Sequence, residues 1–543
     1  MRIAFLMLLA APVFAQNRAP AIESIRREEL KADLFFLASD AMRGRLTATP
    51  EYTLTAEWIA SRFARLGLLP LPQEGEESFY QGFDLVTARL GEGNLLRIGP
   101  PESRRVAKIG EEFYPLNFSG NGEVRARVSL VGYGIRAAEH GWDDYKGREV
   151  KGGIVMVLDG DPAPDDPRSV FDGLITSEYA GSWQKTLTAQ EQGAAAVLVV
   201  SNRRGTSGPR SFGGGAGSYW PKDAPRIERY QLAGNAEKVR IPALQISQAL
   251  AEYLLGTPLD ALRQQADAAG GAVFAASAIP VELTASVART VVSDRNVVAR
   301  IEGSDPKLKQ EAVLISAHYD HNGADGSQVF NGADDNGSGT VAVLEIAEAY
   351  VTAARQGQRP KRTVIFAVWG SEERGLLGSW AWTEHPLWPL DQTAATLNMD
   401  MIGRSEEVPE GGGRRFTGLK PQTAASNANS VHVMGYSFNP ELAEMVRAAN
   451  REIDLTLRME YDNNRSQLMR RSDQWPFLQH RVPSVFFHTG LHPDYHTTGD
   501  RPERIEYPKM ERITRLVYQA SWDLASSDKR PRMPAKRVIP EAK

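Results

Sequence analysis

Ala317–Gly339, AHYDHNGADGSQVFNGADDNGSG, is the stretch on which the reading turns. An apolar run, Val313 to Ile315, precedes it and an apolar-periodic segment follows, so it reads as the loop between a buried strand and a helix. Within it lie His318, Asp320, Asp334 and Asp335. A plain turn has no use for that density of ligand-type side chains, and histidine with carboxylate is the donor set of a zinc-like cation. Asp334 and Asp335 ahead of Asn336 would also serve as a helix N-cap, so the loop alone leaves two readings open.

The surrounding sequence favours the metal. From Val281 onward, apolar runs (RNVVARIEG, AVLISAH, TVIFAVWG, ATLNMDMIG, PSVFFHTG) alternate with helical stretches at Thr340–Ala354, Pro440–Ile453 and Lys509–Ala525. In the first helix Val341, Leu344, Ala347 and Val351 form one stripe. Such alternation predicts an α/β fold whose mostly parallel mixed sheet is sandwiched by helices, with ligands bound beyond the carboxyl ends of the strands. Each strand from Val313 on ends in, or leads to, a ligand-type residue: His318 and Asp320, then Glu372 and Glu373, then Asp400, then His496. Asp335 has two carboxylate oxygens with which to bridge a pair of cations. Of the adjacent Glu372 and Glu373, which diverge in extended chain, one can ligate while the other acts as general base. Asp320 suits a supporting role, accepting the far ring N–H of His318 or holding a neighbouring ligand. His321, His488 and His492 read as structural or loop histidines, and Asp334 as a neighbour of the bridge.

HYD at His318–Asp320, GADDNGSG at Gly332–Gly339, GSEERGLLGS at Gly370–Ser379, NMDMIG at Asn398–Gly403 and YHTTGD at Tyr495–Asp500 together resemble the signature of the dinuclear zinc exopeptidases. These are the secreted bacterial leucyl-type aminopeptidases and their glutamate carboxypeptidase relatives. The resemblance implies two zinc ions per chain, with manganese or cobalt as alternatives. It makes His318 and Asp400 ligands of one ion, Glu373 and His496 ligands of the other, and Asp335 the bridge. It also makes Glu372 the general base, Asp320 the supporting aspartate and Tyr495 a donor to the oxyanion. The implied function is hydrolysis of peptide substrates, as an aminopeptidase. The alternatives are a carboxypeptidase or a glutaminyl-cyclising enzyme on the same scaffold, or a silent binding homologue. One departure is Gln474 in RSDQWPF, where many relatives carry histidine.

The segment between is of another character. GYGI at Gly132, WDDYKG at Trp142, VKGGIVMVLDG at Val150 and QEQGAAAVLVV at Gln190 resemble a protease-associated domain, a β-rich insertion. The expected division is signal peptide 1–15, N-terminal part of the catalytic domain 16–110, inserted domain 111–280, catalytic domain 281–527 and basic tail 528–543. Ile22–Leu37 and Tyr52–Leu68 read as amphipathic helices, the second capped at Gly67, with Arg43 and Arg45 solvated in the loop between them. Gly205–Lys222, rich in glycine and serine, reads as a mobile surface loop, and Arg404–Ser430 as a polar stretch bordering the substrate pocket. The tail from Lys529 reads as a solvated end.

Composition sets the outer bounds. A chain of 543 residues is long enough for two or more domains, and its net charge of -4 gives no case for nucleic acid. Arg2, the apolar run Ile3–Phe14 and Ala15 predict an export signal and a periplasmic or extracellular protein. That run is too short for a membrane anchor. The absence of cysteine rules out disulfides and thiolate zinc sites. Nothing in the composition speaks to oligomeric state.

Overall fold

The computed structural model describes residues 18–73, 78–202, 211–268 and 273–542, so the expected signal peptide lies outside the described residues. Two sheets dominate. The larger has nine strands, numbered here β1 (Tyr80–Leu90), β2 (Tyr230–Leu232), β3 (Val287–Ile301), β4 (Ala312–His318), β5 (Thr363–Trp369), β6 (Thr393–Met399), β7 (Ser430–Met434), β8 (Thr456–Arg458) and β9 (Ser484–His488). Their spatial order is β2-β1-β3-β5-β4-β6-β9-β7-β8. The central β5-β4-β6-β9 run is parallel, while β3 joins it antiparallel on one side, with β1 antiparallel to β3, and β7 joins it antiparallel on the other.

The alternation of side chains along β4 and β5 explains why both faces are covered. Val313, Ile315 and Ala317 of β4, with Val364, Phe366 and Val368 of β5, enter one core with helices α1 (Arg27–Leu37), α2 (Pro50–Leu66), α3 (Gly339–Arg355), α5 (Pro440–Ala449) and α7 (Tyr507–Ser526). The intervening Leu314, Ile365, Ala367 and Trp369 enter another with Trp382 of α4 (Leu377–Glu384) and Phe477 of α6 (Gln474–Gln479). A strand buried on both faces has to be apolar throughout, which is why these runs stand out in the sequence. Helix α2 starts at Pro50 under the cap of Thr49 and stops at Gly67, whose φ of 78° is the left-handed conformation that glycine adopts without penalty.

The second sheet has eight strands, at whose centre Gly122–Leu130, Ile154–Leu158, Ala196–Val200 and Ala243–Ile246 run parallel. Leu95–Ile98 and Ala275–Ala285 pair antiparallel at one side of them. The inserted segment also gives β2 to the larger sheet, Leu232 opposite Leu85, so the two units share an edge.

Two expectations are corrected. Within Gly205–Lys222, residues 205–210 lie outside the described residues, but Phe212–Tyr219 is a helix rather than a mobile loop. Ser211 caps it, Phe212 and Ala216 pack on Tyr114, and Trp220 donates to the Pro115 carbonyl, which outweighs the poor helix propensity of its glycines. Nor is the basic tail a solvated end. Arg530 donates to the Asp391 and Thr393 carbonyls, and Arg537 lies 3.7 Å over the Phe438 ring, 3.0 Å from Asp172. No helix among the described residues is long and apolar enough to cross a membrane.

Candidate metal centre

The carboxyl ends of the parallel strands bring the expected residues together. His318 closes β4, Glu372 and Glu373 follow β5, Asp400 follows β6, and His496 lies on the loop after β9. His318 Nε2 is 3.5 Å from Asp335 Oδ1, 3.5 Å from Asp400 Oδ2 and 3.6 Å from Glu372 Oε2. The other oxygen of Asp335, Oδ2, lies 2.9 Å from His496 Nε2, which is itself 3.3 Å from Glu373 Oε1. Asp335 thus turns one oxygen to each histidine, the geometry a bridging carboxylate needs. Asp335 precedes a cis peptide bond and sits in a single irregular turn ahead of α3.

The supports are hydrogen bonds to backbone. Asp320 accepts from the backbone N–H of Glu372 (2.9 Å) and of Glu373 (3.2 Å), so one aspartate fixes both glutamates, and its Oδ1 lies 3.5 Å from His318 Nδ1. The glutamates are not in extended chain as the sequence suggested. They occupy a 3-10 turn, Glu372–Arg374, entered through Ser371 at φ 53°, and the turn rather than strand alternation sets their divergence. Asp334 accepts from Gly403 N–H and lies 3.2 Å from His492 Nε2, a structural neighbour of Asp335.

Three participants were missed. Arg45 is fully buried, not solvated: it donates to the carbonyls of Leu37, Tyr319, Asn331 and Gly332. Burial lowers it to about 10, with Asp320, Asp500 and Asp335 acting the other way, so a guanidinium stays charged beneath the carboxylates at neutral pH. Asp500 accepts from the N–H groups of Asp334 and Asp335. His321, read as redundant, has Nδ1 2.7 Å from Glu373 Oε1. Asp500 closes the YHTTGD motif and His321 the HYDH run, so both were visible; Arg45 carried no local signal.

Electrostatics separates the adjacent glutamates. Burial pushes Glu372 well above the ordinary carboxylate range, against the pull of His318 and with Asp473 and Asp400 adding to the rise. Burial acts the same way on Glu373, but His496 and His321 outweigh it and hold that group well below the range. Tyr495, stacked on His496 with ring centroids 3.9 Å apart, is held protonated far above neutral by burial and by Asp335 and Glu373.

Buried polar atoms without a hydrogen-bond partner concentrate here: His318 Nε2, both ring nitrogens of His321, and Asp400 Oδ1. Such orphans are rare in a folded protein, and nitrogens of histidine with oxygens of aspartate and glutamate are what a zinc pair binds, so the residues fit that group. The cluster opens onto a cavity of about 370 Å³ walled by Met401, Leu468, Phe486, Leu491, Tyr495 and Arg471. The 404–430 stretch reaches the same neighbourhood, since Phe416 and Leu419 pack with Leu468 and Tyr495 and Arg415 reaches the His496 carbonyl. Gln474, buried in α6, pairs with Asn398 and the Met469 carbonyl and does not line the cavity.

Residues 296–521 match the peptidase family M28, and residues 124–254 match the PA domain. The second half of the chain is thus similar to the M28 peptidases. The chain is 26% identical over 408 residues to a probable glutamate carboxypeptidase of Arabidopsis thaliana, AMP1, spanning 70% of this chain and 51% of that one. It is 27% identical over 240 residues to aminopeptidase YwaD of Bacillus subtilis (strain 168), spanning 43% and 45%. It thus spans about half the length of these curated relatives. Among solved structures it is similar to an aminopeptidase from Aneurinibacillus sp. strain AM-1, at TM-score 0.47 and 18% identity over 96% of this chain and 97% of that one. It is also similar to BSAP, a zinc aminopeptidase from Bacillus subtilis, at TM-score 0.43 and 19% identity over 95% and 98%.

Proposed function

We propose that the protein is an exported dinuclear zinc aminopeptidase. The observation that carries the reading is Asp335 with one oxygen toward His318 and the other toward His496, amid orphaned buried ligand atoms. In this reading His318 and Asp400 hold one ion, Glu373 and His496 the other, and Asp335 both. The division into 16–110, 111–280 and 281–527 is proposed with it. Bound zinc would acidify a water and polarise the peptide carbonyl. The chain does the rest. Glu372, raised by burial, takes the proton of the attacking water and returns it to the departing amine. Asp320 fixes the backbone of that glutamate and of its neighbour, holding base and ligand at a constant separation. Tyr495, kept protonated, donates to the oxyanion. Met401, Leu468, Phe486 and Leu491 give the cavity an apolar wall for the side chain of the residue released.

One observation favours a second reading. Arg470 and Arg471 also line the cavity, and guanidinium groups suit the carboxylate of a peptide's C-terminus. Aminoacyl chromogenic substrates, offered with free and blocked amines and assayed with and without a chelator, separate the two. The expected result is chelator-sensitive release from free-amine substrates alone. Activity confined to N-blocked peptides with a free C-terminus would transfer the assignment to a carboxypeptidase, and activity that survives chelation would remove zinc from it.

A further inference from the structure

His321 is buried against the metal centre in a way its sequence position does not require. Its ring is held on one side by Gly332, where an added Cβ would come within 2.4 Å of Cγ, and its backbone N–H is anchored to the Arg45 carbonyl. Its ring meets that of His496 edge-on, with centroids 5.6 Å apart. Nδ1 lies 2.7 Å from Glu373 Oε1 and 3.9 Å from Asp335 Oδ2. Close as Glu373 is, neither ring nitrogen makes a hydrogen bond of ordinary geometry. A fully buried imidazole with both nitrogens unpaired is unfavourable unless something else meets them. A His321 nitrogen, an Asp335 oxygen and a Glu373 oxygen all lie within 4.8 Å of one another, with no other charged group required to complete the triangle.

We propose that His321 is itself a ligand of the second metal ion, beside Glu373, Asp335 and His496. This rests on the dinuclear reading above and extends it: the ion nearer His318 has one imidazole, the ion nearer Glu373 two. Its consequence is an unequal pair. His496 is the more open of the two imidazoles at the second position, its side chain 35% exposed, while that of His321 is wholly buried. His321 is then the permanent ligand and His496 the one nearer solvent.

The test counts imidazoles. In the full-length protein loaded with cobalt and labelled with ¹⁵N-histidine, every ligating imidazole contributes one N–H resonance with a large hyperfine shift. Three such resonances are expected, falling to two in His321→Ala and in His321→Asn. Metal content is measured on the same samples. Two equivalents of cobalt with two shifted resonances in the unsubstituted protein would overturn the proposal and leave the dinuclear centre standing; no cobalt uptake would overturn the centre itself. The count in the unsubstituted protein decides even if neither variant folds. Affinity alone does not decide, since a residue that only orients a ligand also shifts metal binding by about 10- to 100-fold.

Discussion

The two sheets of this protein are built alike and end differently. Each has four adjacent parallel strands, all buried on both faces in the larger sheet and three of them so in the inserted one, and strand ends that open on a cavity: about 370 Å³ for the larger sheet and about 360 Å³ for the inserted one. Acids occupy both. At the inserted sheet Asp161 accepts from Ser177 N–H and from the Ser177 hydroxyl, both at 2.8 Å, and buried Lys185 donates to the Tyr133 and Gly160 carbonyls. At the larger sheet, His318 Nε2, both ring nitrogens of His321 and an oxygen of Asp400 have no hydrogen-bond partner. A hollow at the strand ends is therefore common to both, and what distinguishes the larger sheet's is that histidine nitrogens and a carboxylate oxygen stand unanswered together beside it.

That contrast is broken most severely at Glu372. Glu372→Gln keeps the shape and removes the proton carrier, and kcat should fall by about 10²- to 10⁴-fold with zinc content unchanged; near-normal turnover in the zinc-loaded variant would contradict the assignment. Asp320→Asn comes next. It loses one of the two acceptors that hold the glutamate turn, and kcat should fall by about 10- to 100-fold, read beside zinc stoichiometry. On the other sheet Lys185→Met strips two carbonyls of their donor, so unfolding should shift by about 1–3 kcal/mol, visible in denaturant melts, while turnover of the folded fraction stays within a factor of about two.

The smallest effect concerns Glu345, buried in α3 near Glu348 and Asp33. Burial, then Glu348 and Asp33, raises it from 4.5 to about 8. Because the folded value lies above the unfolded one, its stabilising contribution is complete below about pH 4.5 and is lost as pH rises through about 8. Glu345→Gln should flatten the fall in melting temperature between pH 6 and 9 by a few degrees, about 2 °C per kcal/mol. A buried acid among other acids is thereby neutralised by a proton, and an identical pH profile in the variant would show that it is not.

Much of the arrangement was legible because the physics that makes it is local. Strands β4, β5, β6 and β9 are apolar on both faces and so appear as unbroken runs, and the residues just beyond them come to one edge because the strands are parallel. The rest depends on partners far along the chain. Arg45 looks solvated until Tyr319, Asn331 and Gly332 arrive to accept from it. The Phe212–Tyr219 helix has glycines that argue against it and owes its place to Tyr114. Arg537 is one more basic tail residue until Asp172 and Phe438 stand beneath it.

Arg45 has a consequence for inheritance by parts. It precedes the inserted domain, yet three of the four carbonyls it holds belong to the loop Ala317–Gly339, on the far side of that insertion. Residues 281–527 therefore cannot be lifted out with the acid cluster whole, because the positive charge under those acids comes from the other side of the insertion. The insertion could vary in length or origin, but the two pieces it parts have to change together.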